Sequence, residues 1–473
     1  MNARTILQYC IGPIGAALVG FISVPLMAWI FSVEDVGRLS ILQLAINFII
    51  IFFCLGLDQV YGREYYDEEN KANLFTSVTM PGAFTLLSFS LLVLLFEPKI
   101  ISSFLYDIPS EYLSVLTLLC FIINFISRFL AISLRMQERA LAYSMSQLLP
   151  NLLLFLLLLC LLAIDENLTF YSLIFVYFFS ITTIFCYLIW QNRILLREVF
   201  ISRSINFEKL NTYIRFGMPL IIGGLASWGL TSIDRFFLKS MSTLEELGLY
   251  SLTVTIAGGV AILAGVFNTI WAPLVFKWES EGVDLKKVNS VYENLLAVVF
   301  FISVLSGIFS WIITLLLPND YGIVKSLLPM SLLCPLLYTL SEVSSIGILL
   351  TRKTSYSMLA SIGALIICLV SNFILVPTYG AVGAAFSTGI SFWFFFLLRT
   401  EFSSYVWRPM PRVRVYSMTV ILIIMASLHL FFRDYYFVIV SIYTISMVFG
   451  FVLFRRSYIV FFKKVVIFKS LKS

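Results

Sequence analysis

31-FSVEDVGRLSILQLAI-46 and 242-STLEELGLYSLTVTI-256 read as one motif written twice. Glu34, Asp35, Gly37 and Ser40 match Glu245, Glu246, Gly248 and Ser251 at a single offset of 211 residues. In both copies an acidic pair stands just before a Gly and a long apolar run. The spacing predicts a helix N-terminus, where the helix dipole favours negative charge. A generic helix-capping loop would explain one copy; two copies at a fixed offset suggest that the chain itself is duplicated.

Composition says what is duplicated. The chain has 473 residues, of which 60% are hydrophobic and only 12% charged, with a mean hydropathy of +0.97. Soluble domains carry about 25% charged residues. Runs such as 150-PNLLLFLLLLCLLAI-164 and 293-ENLLAVVFFISVLSGIFSWIITLLLP-318 approach or exceed the roughly 20 residues that a membrane-spanning helix needs. Hydropathy places fourteen spans at 8–31, 39–57, 74–96, 112–134, 141–164, 168–190, 212–233, 248–272, 293–317, 327–350, 357–378, 381–399, 414–432 and 435–454. The first reads as a span and not a cleavable signal, since it is long, holds Pro13 and Pro25 and shows no small-residue cleavage site.

With the N terminus placed in the cytoplasm, 24 of the 32 Lys and Arg fall in inner segments, 6 in outer ones, and two, Arg128 and Arg215, inside spans. That bias predicts both termini on the cytoplasmic side. The net charge of +6 then reflects topology, not nucleic-acid binding. The tail 457-SYIVFFKKVVIFKSLKS-473 interleaves aromatics with lysines, which suits an anionic inner leaflet. Seven cysteines all lie in expected spans without CxxC or metal-type spacing, so they read as apolar fillers and no metal site is expected.

The motif pair joins spans one and two in one copy and spans seven and eight in the other. The expected fold is therefore all-α: two six-helix bundles related by parallel duplication, plus two C-terminal helices. The expected divisions are 1–210 with a basic cytoplasmic linker, 211–400, and 401–473 with the extra helices and a basic tail.

Four segments resemble a known family. "LGLDQVYGREYYDEE" (55–69), "GMPLIIGGLASWGLTSIDRFFL" (217–238), "LEELGLYSL" (244–252) and "VPTYGAVGAAFSTGIS" (376–391) look like the signature segments of Wzx-type O-antigen flippases. These are bacterial polysaccharide exporters of the multidrug/oligosaccharidyl-lipid/polysaccharide (MOP) superfamily. The resemblance implies a multi-pass inner-membrane transporter for an undecaprenyl-diphosphate-linked oligosaccharide, a repeat unit of O-antigen or another surface polysaccharide. It implies two bundles around a cavity that opens alternately to either side. Spans thirteen and fourteen would flank a groove for the lipid tail. Membrane lipids, and a polymerase or chain-length machinery, are the implied partners.

Polar residues at membrane depth nominate the site, because ionisable groups there are costly and face a cavity or a partner. On span four Asn124, Arg128, Arg135 and Arg139 are spaced 4, 7 and 4, one helical stripe. Arg128 suits a diphosphate, since its planar fork binds bidentately and keeps its proton. Snorkelling, or a pair with Asp58, is the structural alternative. Asp58 ends a second 4, 7, 4 stripe with Gln43, Asn47 and Cys54. Arg215 lies one turn into span seven before 217-GMP-219, where it either meets a headgroup or snorkels. Gln147 and Asn151 follow Ser144 on span five at 3 and 4 spacing and suit sugar hydroxyls or interhelical bonding. Asp234 and Arg235 end span seven, at a cavity mouth or as a structural pair. Glu342 is the one carboxylate well inside a span, a candidate for H⁺ or Na⁺ coupling or for a salt bridge; no other cofactor is implied. His429, the sole His, reads as a packed helix residue.

Two other functions compete. A cation-coupled drug antiporter of the same superfamily would favour twelve spans and acidic groups in its cavity. A membrane polymerase or glycosyltransferase would present a large catalytic loop. Here the longest outer loops, near 97–111 and 234–247, run to about 15 residues, with no DxD and no phosphate-binding Gly loop.

Overall fold

The computed structural model describes residues 3–164, 168–202, 207–282, 284 and 286–455; the basic tail 457–473 lies outside them. Every regular element among the described residues is helical. Most of the fourteen expected spans fall within a single helix, but the ninth (293–317) is shared among Lys287–Ile308, a 3-10 turn at Ser310–Ile312 and Ile313–Leu316, and the tenth (327–350) is divided at Ser345 between Val324–Ser344 and Ile346–Leu350. Among the described residues, eleven helices are individually long and apolar enough to cross a membrane. One of these, Ser355–Val406, holds spans eleven and twelve, while spans seven and eight occupy Phe207–Met241 and Leu244–Ser280. Exposed apolar side chains such as Phe84, Leu95 and Phe437 suit helices solvated by lipid tails.

The chain divides into two compact units, Met1–Ser232 and Ile233–Ser473. In the first, span four is central and packs against spans two, three, five and six, with Phe125, Phe129 and Leu130 wholly buried. In the second, span ten takes that place, packing against spans eight, nine, twelve and thirteen, with Met330, Leu337 and Leu340 wholly buried.

The duplicated motif caps a helix in both units. Ser32 accepts a hydrogen bond from Asp35 N, and Thr243 accepts one from Glu246 N, at the same 211-residue offset. Such caps satisfy N–H groups that the helix cannot. Each motif also meets the start of a later span, span six in the first unit and span twelve in the second. Arg38 pairs with Asp35 at 2.6 Å and lies over the Phe170 ring; Glu246 Oε2 accepts from Ala381 N at 2.7 Å. Residues 170 and 381 are again 211 apart.

Two of the breaks that depart from simple hydropathy involve left-handed residues beside glycine contacts. Span two was expected to run to residue 57, but its helix, Val33–Cys54, ends at Leu55 (φ 52°) and Gly56 (φ 68°). A short helix, Leu57–Glu64, then starts afresh. The stripe expected from Gln43 to Asp58 is thus interrupted, because two left-handed residues re-aim everything after Cys54. Gly56 also touches Gly217: a Cβ on Gly56 would lie 2.4 Å from the Gly217 carbonyl oxygen. Just beyond this short helix, Lys209 donates to Glu68 at 2.6 Å, and that hydrogen bond holds its exposed ammonium above the usual lysine range.

The second break is at Gly380 (φ 51°, ψ −128°). There the chain reverses without a loop. Gly383 packs against the Leu375 carbonyl and Gly363 against Leu398, although a straight helix would hold residues 375 and 383 about 12 Å apart.

Spans one and five pack closely. Gly12 lies so near the Ser144 backbone that a Cβ would sit 2.6 Å from its carbonyl oxygen. Ser144 donates to the Gln8 carbonyl and Asn151 to that of Ala16. Gly12→Val is therefore expected to force the helices apart and cost about 1–3 kcal/mol, read as a lower Tm in detergent. An unchanged Tm would show that the contact carries no packing energy.

Candidate substrate cavity

A cavity of about 330 Å³ opens within the first unit between spans two, four, five and six. Span four contributes Asn124, Ser127, Arg128 and Arg135; span five Tyr143, Ser146, Gln147 and Asn151; span six Tyr177 and Ser180; span two Gln43. The lining therefore carries two arginines, several amides and hydroxyls, and no carboxylate among the described residues.

Local sequence explains much of this polarity. Pro150 sits inside span five and has no N–H, so it cannot bond the carbonyl four residues back, that of Ser146. Ser180 on span six donates to the Pro150 carbonyl at 2.7 Å. Asn124 bonds the Cys120 carbonyl of its own helix at 2.9 Å, and Asn151 spends its amide nitrogen on span one.

Arg128 carries one of the two cationic groups in the lining. Its Nη2 and Nε both meet Asp58 Oδ2, at 3.0 and 3.3 Å. Asp58 is nearly buried, with 12% of its side chain exposed, while half of Arg128 remains open. Guanidinium carries five N–H donors, so two bonds to one oxygen leave donors for a ligand. Arg128 thus both pairs with Asp58 and lines the cavity.

The other nominated residues are placed as follows. Arg135 lines the cavity, but the stripe stops there. The helix ends at Met136, Glu138 turns left-handed (φ 58°), and Arg139 bonds the backbone carbonyl and side chain of Gln191. Asn47 is exposed and bonds the Gln43 carbonyl at 2.9 Å. Arg215 is exposed. Neither lies in the cavity's lining, nor does Asp58 itself.

In the second unit Asp234 is 2% exposed. It accepts from the Tyr250 hydroxyl, from Thr388 at 2.9 Å and from Arg235 N at 2.9 Å. This is a buried, saturated carboxylate and not one at an open mouth. Glu342 forms an ion pair with Arg399 at 2.5 Å. Arg399, at the expected cytoplasmic end of span twelve, is buried because its helix continues to Val406. His429 is buried beside Ser310, 3.4 Å away, and against the rings of Tyr436 and Tyr443.

Tyr177 and Ser180 were not singled out from the sequence. They are the polar members of a 3-to-4 spacing on span six that continues through Ile184 and Leu188, a signal that could have found them. A second, almost wholly apolar groove of about 600 Å³ lies in the second unit, lined by Phe386 of span twelve and by Ile423, Ile424, Ser427, Leu428, Phe431 and Phe432 at span thirteen.

A family profile described as "Polysaccharide biosynthesis protein" matches residues 3–279. No curated protein matches the sequence. Among solved structures, the lipid II flippase MurJ in an inward closed conformation aligns over 95% of this chain and 99% of its own, with a TM-score of 0.64 at 15% identity. The inward-facing form of a multidrug resistance MATE family transporter of the MOP superfamily aligns over 85% of this chain and 96% of its own, with a TM-score of 0.61 at 14% identity. The Vibrio cholerae MATE transporter VcmN, as its D35N mutant, gives 0.51 at 13% identity over 84% and 95%. At these identities the likeness is one of fold, and the fold is that of MOP-superfamily transporters.

Proposed function

The chain belongs to the polysaccharide biosynthesis protein family, and on that premise we propose that it is a flippase for a polyprenyl-diphosphate-linked oligosaccharide. The substrate is a surface-polysaccharide repeat unit carried on undecaprenyl diphosphate. It moves from the cytoplasmic to the outer leaflet of a bacterial inner membrane by alternating access of two lobes. Both termini lie in the cytoplasm, a reading supported by the Lys and Arg bias, and a polysaccharide polymerase receives the product.

The observation that carries this reading is the cavity of the first unit. Arg128 and Arg135 line it together with amides and hydroxyls. A diphosphate needs fork-shaped cationic donors, and sugar hydroxyls need amide and hydroxyl partners. The apolar groove beside span thirteen suits a polyprenyl tail. Glu342 is neutralised by Arg399, which favours a fixed polar role over ion coupling at that carboxylate. A cationic drug is the poorer fit to the same fold, because two arginines would repel it from the cavity.

Mass spectrometry of lipid extracts from source cells, with and without the protein, tests this. Accumulation of one polyprenyl-diphosphate oligosaccharide on the cytoplasmic side is expected when the protein is absent. Unchanged lipids with retained cationic dyes would favour the drug antiporter. Intermediates lacking a sugar would favour an enzyme.

A further inference from the structure

We propose that Tyr338 and Glu342 of the second unit form a sugar-binding platform, a station for a neutral pyranose ring of the glycan; this rests on the flippase reading above.

The two residues stand one turn apart on span ten and face Phe395 and Arg399, one turn apart on span twelve. The Tyr338 and Phe395 rings stack with an interplanar angle of 3° and centroids 6.1 Å apart. Phe395 is buried, whereas Tyr338 is 38% exposed, so the plane of an accessible ring is fixed from behind. Beside it, Arg399 Nη1 holds Glu342 Oε1 at 2.5 Å and Ser341 Oγ at 2.9 Å. The Arg399 guanidinium also lies over Phe395, 5.1 Å from its centroid. The ion pair uses Oε1 of Glu342, and the Tyr338 hydroxyl also interacts with that carboxylate, whose remaining lone pairs are open to further donors.

The duplication gives this face its meaning. At the 211-residue offset, Tyr338 and Glu342 correspond to Ser127 and Ala131, both of which line the cavity of the first unit. The exposed face of span ten is therefore the face that span four turns to its cavity. An ion pair at membrane depth turned instead to lipid would be costly.

The chemistry selects the ligand. Arg399 balances the charge of Glu342, so the pair has no net attraction for a cation or for an anion. What remains is a flat aromatic face beside an acceptor for hydroxyl groups. A pyranose offers the complement: one apolar face of C–H groups and an edge of hydroxyl donors. The ring stacks on Tyr338 and its hydroxyls bond Glu342, while Arg399 positions the carboxylate.

The test uses the full-length protein in nanodiscs and two probes: undecaprenyl diphosphate, and the undecaprenyl-diphosphate oligosaccharide extracted from source cells. Tyr338→Leu keeps apolar bulk and removes the ring, while Tyr338→Phe and Tyr338→Trp keep a ring. Tyr338→Leu is expected to weaken binding of the oligosaccharide lipid about tenfold, or 1.4 kcal/mol, and to leave undecaprenyl diphosphate unchanged. The two aromatic variants are expected to bind both lipids as the unsubstituted protein does. Equal losses on both probes, or none on either, would overturn the platform while the flippase reading stands. If the unsubstituted protein bound neither lipid, the flippase reading would fall, and the platform with it.

Discussion

Arg128→Gln is expected to cut glycan export by about ten- to a hundredfold, the scale of one lost charge-assisted hydrogen-bond set. The guanidinium is one of two that line the cavity, and glutamine keeps a polar amide on a shorter stem without the charge or the fork. The same change strands Asp58, whose side chain is only 12% exposed, and an uncompensated carboxylate destabilises its surroundings. Lost export alone would therefore be ambiguous. Adding Asp58→Asn removes the stranded charge, so the double variant should recover much of the Tm lost by Arg128→Gln. It should not recover export, measured as surface glycan or as cytoplasmic accumulation of the lipid-linked oligosaccharide. Export restored along with stability would mean that Arg128 only supports the fold.

The second large effect is expected at Gly56. Gly56→Val places a branched side chain at φ 68°, a conformation costing about 1–2 kcal/mol for a residue with a Cβ. It also drives that Cβ to 2.4 Å from the Gly217 carbonyl oxygen, adding about 1–3 kcal/mol of overpacking. Together these approach half the stability of an ordinary domain. Gly56→Asn separates the terms, because Asn tolerates the left-handed region but still carries a Cβ. Fluorescence-detected size exclusion after heating should rank the glycine protein above Asn, and Asn above Val. Equal stability of all three would show that the helix break does not depend on the Gly56–Gly217 contact.

How much of this was written in the sequence depends on the residue. The spans were legible because hydropathy and the Lys and Arg bias are long-range signals, and no single residue decides them. The helix starts at Val33 and Leu244 were legible because an acidic pair in a first turn has a fixed physical cause, whereas the capping residues themselves, Ser32 and Thr243, were not singled out. Arg128, Asn124, Gln147 and Asn151 were legible as cavity candidates because helical spacing puts each on one stripe.

What failed were places where the backbone leaves the helix without advertising it. Leu55 is an ordinary apolar residue in an apolar run, yet it adopts φ 52° and breaks the expected stripe ahead of Asp58. Glu138 does the same between Met136 and Arg139 and removes Arg139 from its stripe. The end of span twelve was set at 399 because hydropathy falls where the charge begins, whereas its helix continues to Val406 and folds Arg399 onto Glu342. In each case a tertiary contact, absent from any local window, settled the geometry.

The reversal at Gly380 has a practical consequence for anyone mapping this protein with inserted reporters. Epitope tags and protease sites are tolerated where a surface loop can lengthen without disturbing packed helices. Spans eleven and twelve offer no such loop. Their junction is one glycine whose neighbour, Ala381, is tied to Glu246, and a Cβ on Gly380 would lie 2.8 Å from that carboxylate. A tag placed there would untie the turn it was meant to report on, and the failed variant would be misread as a topology result.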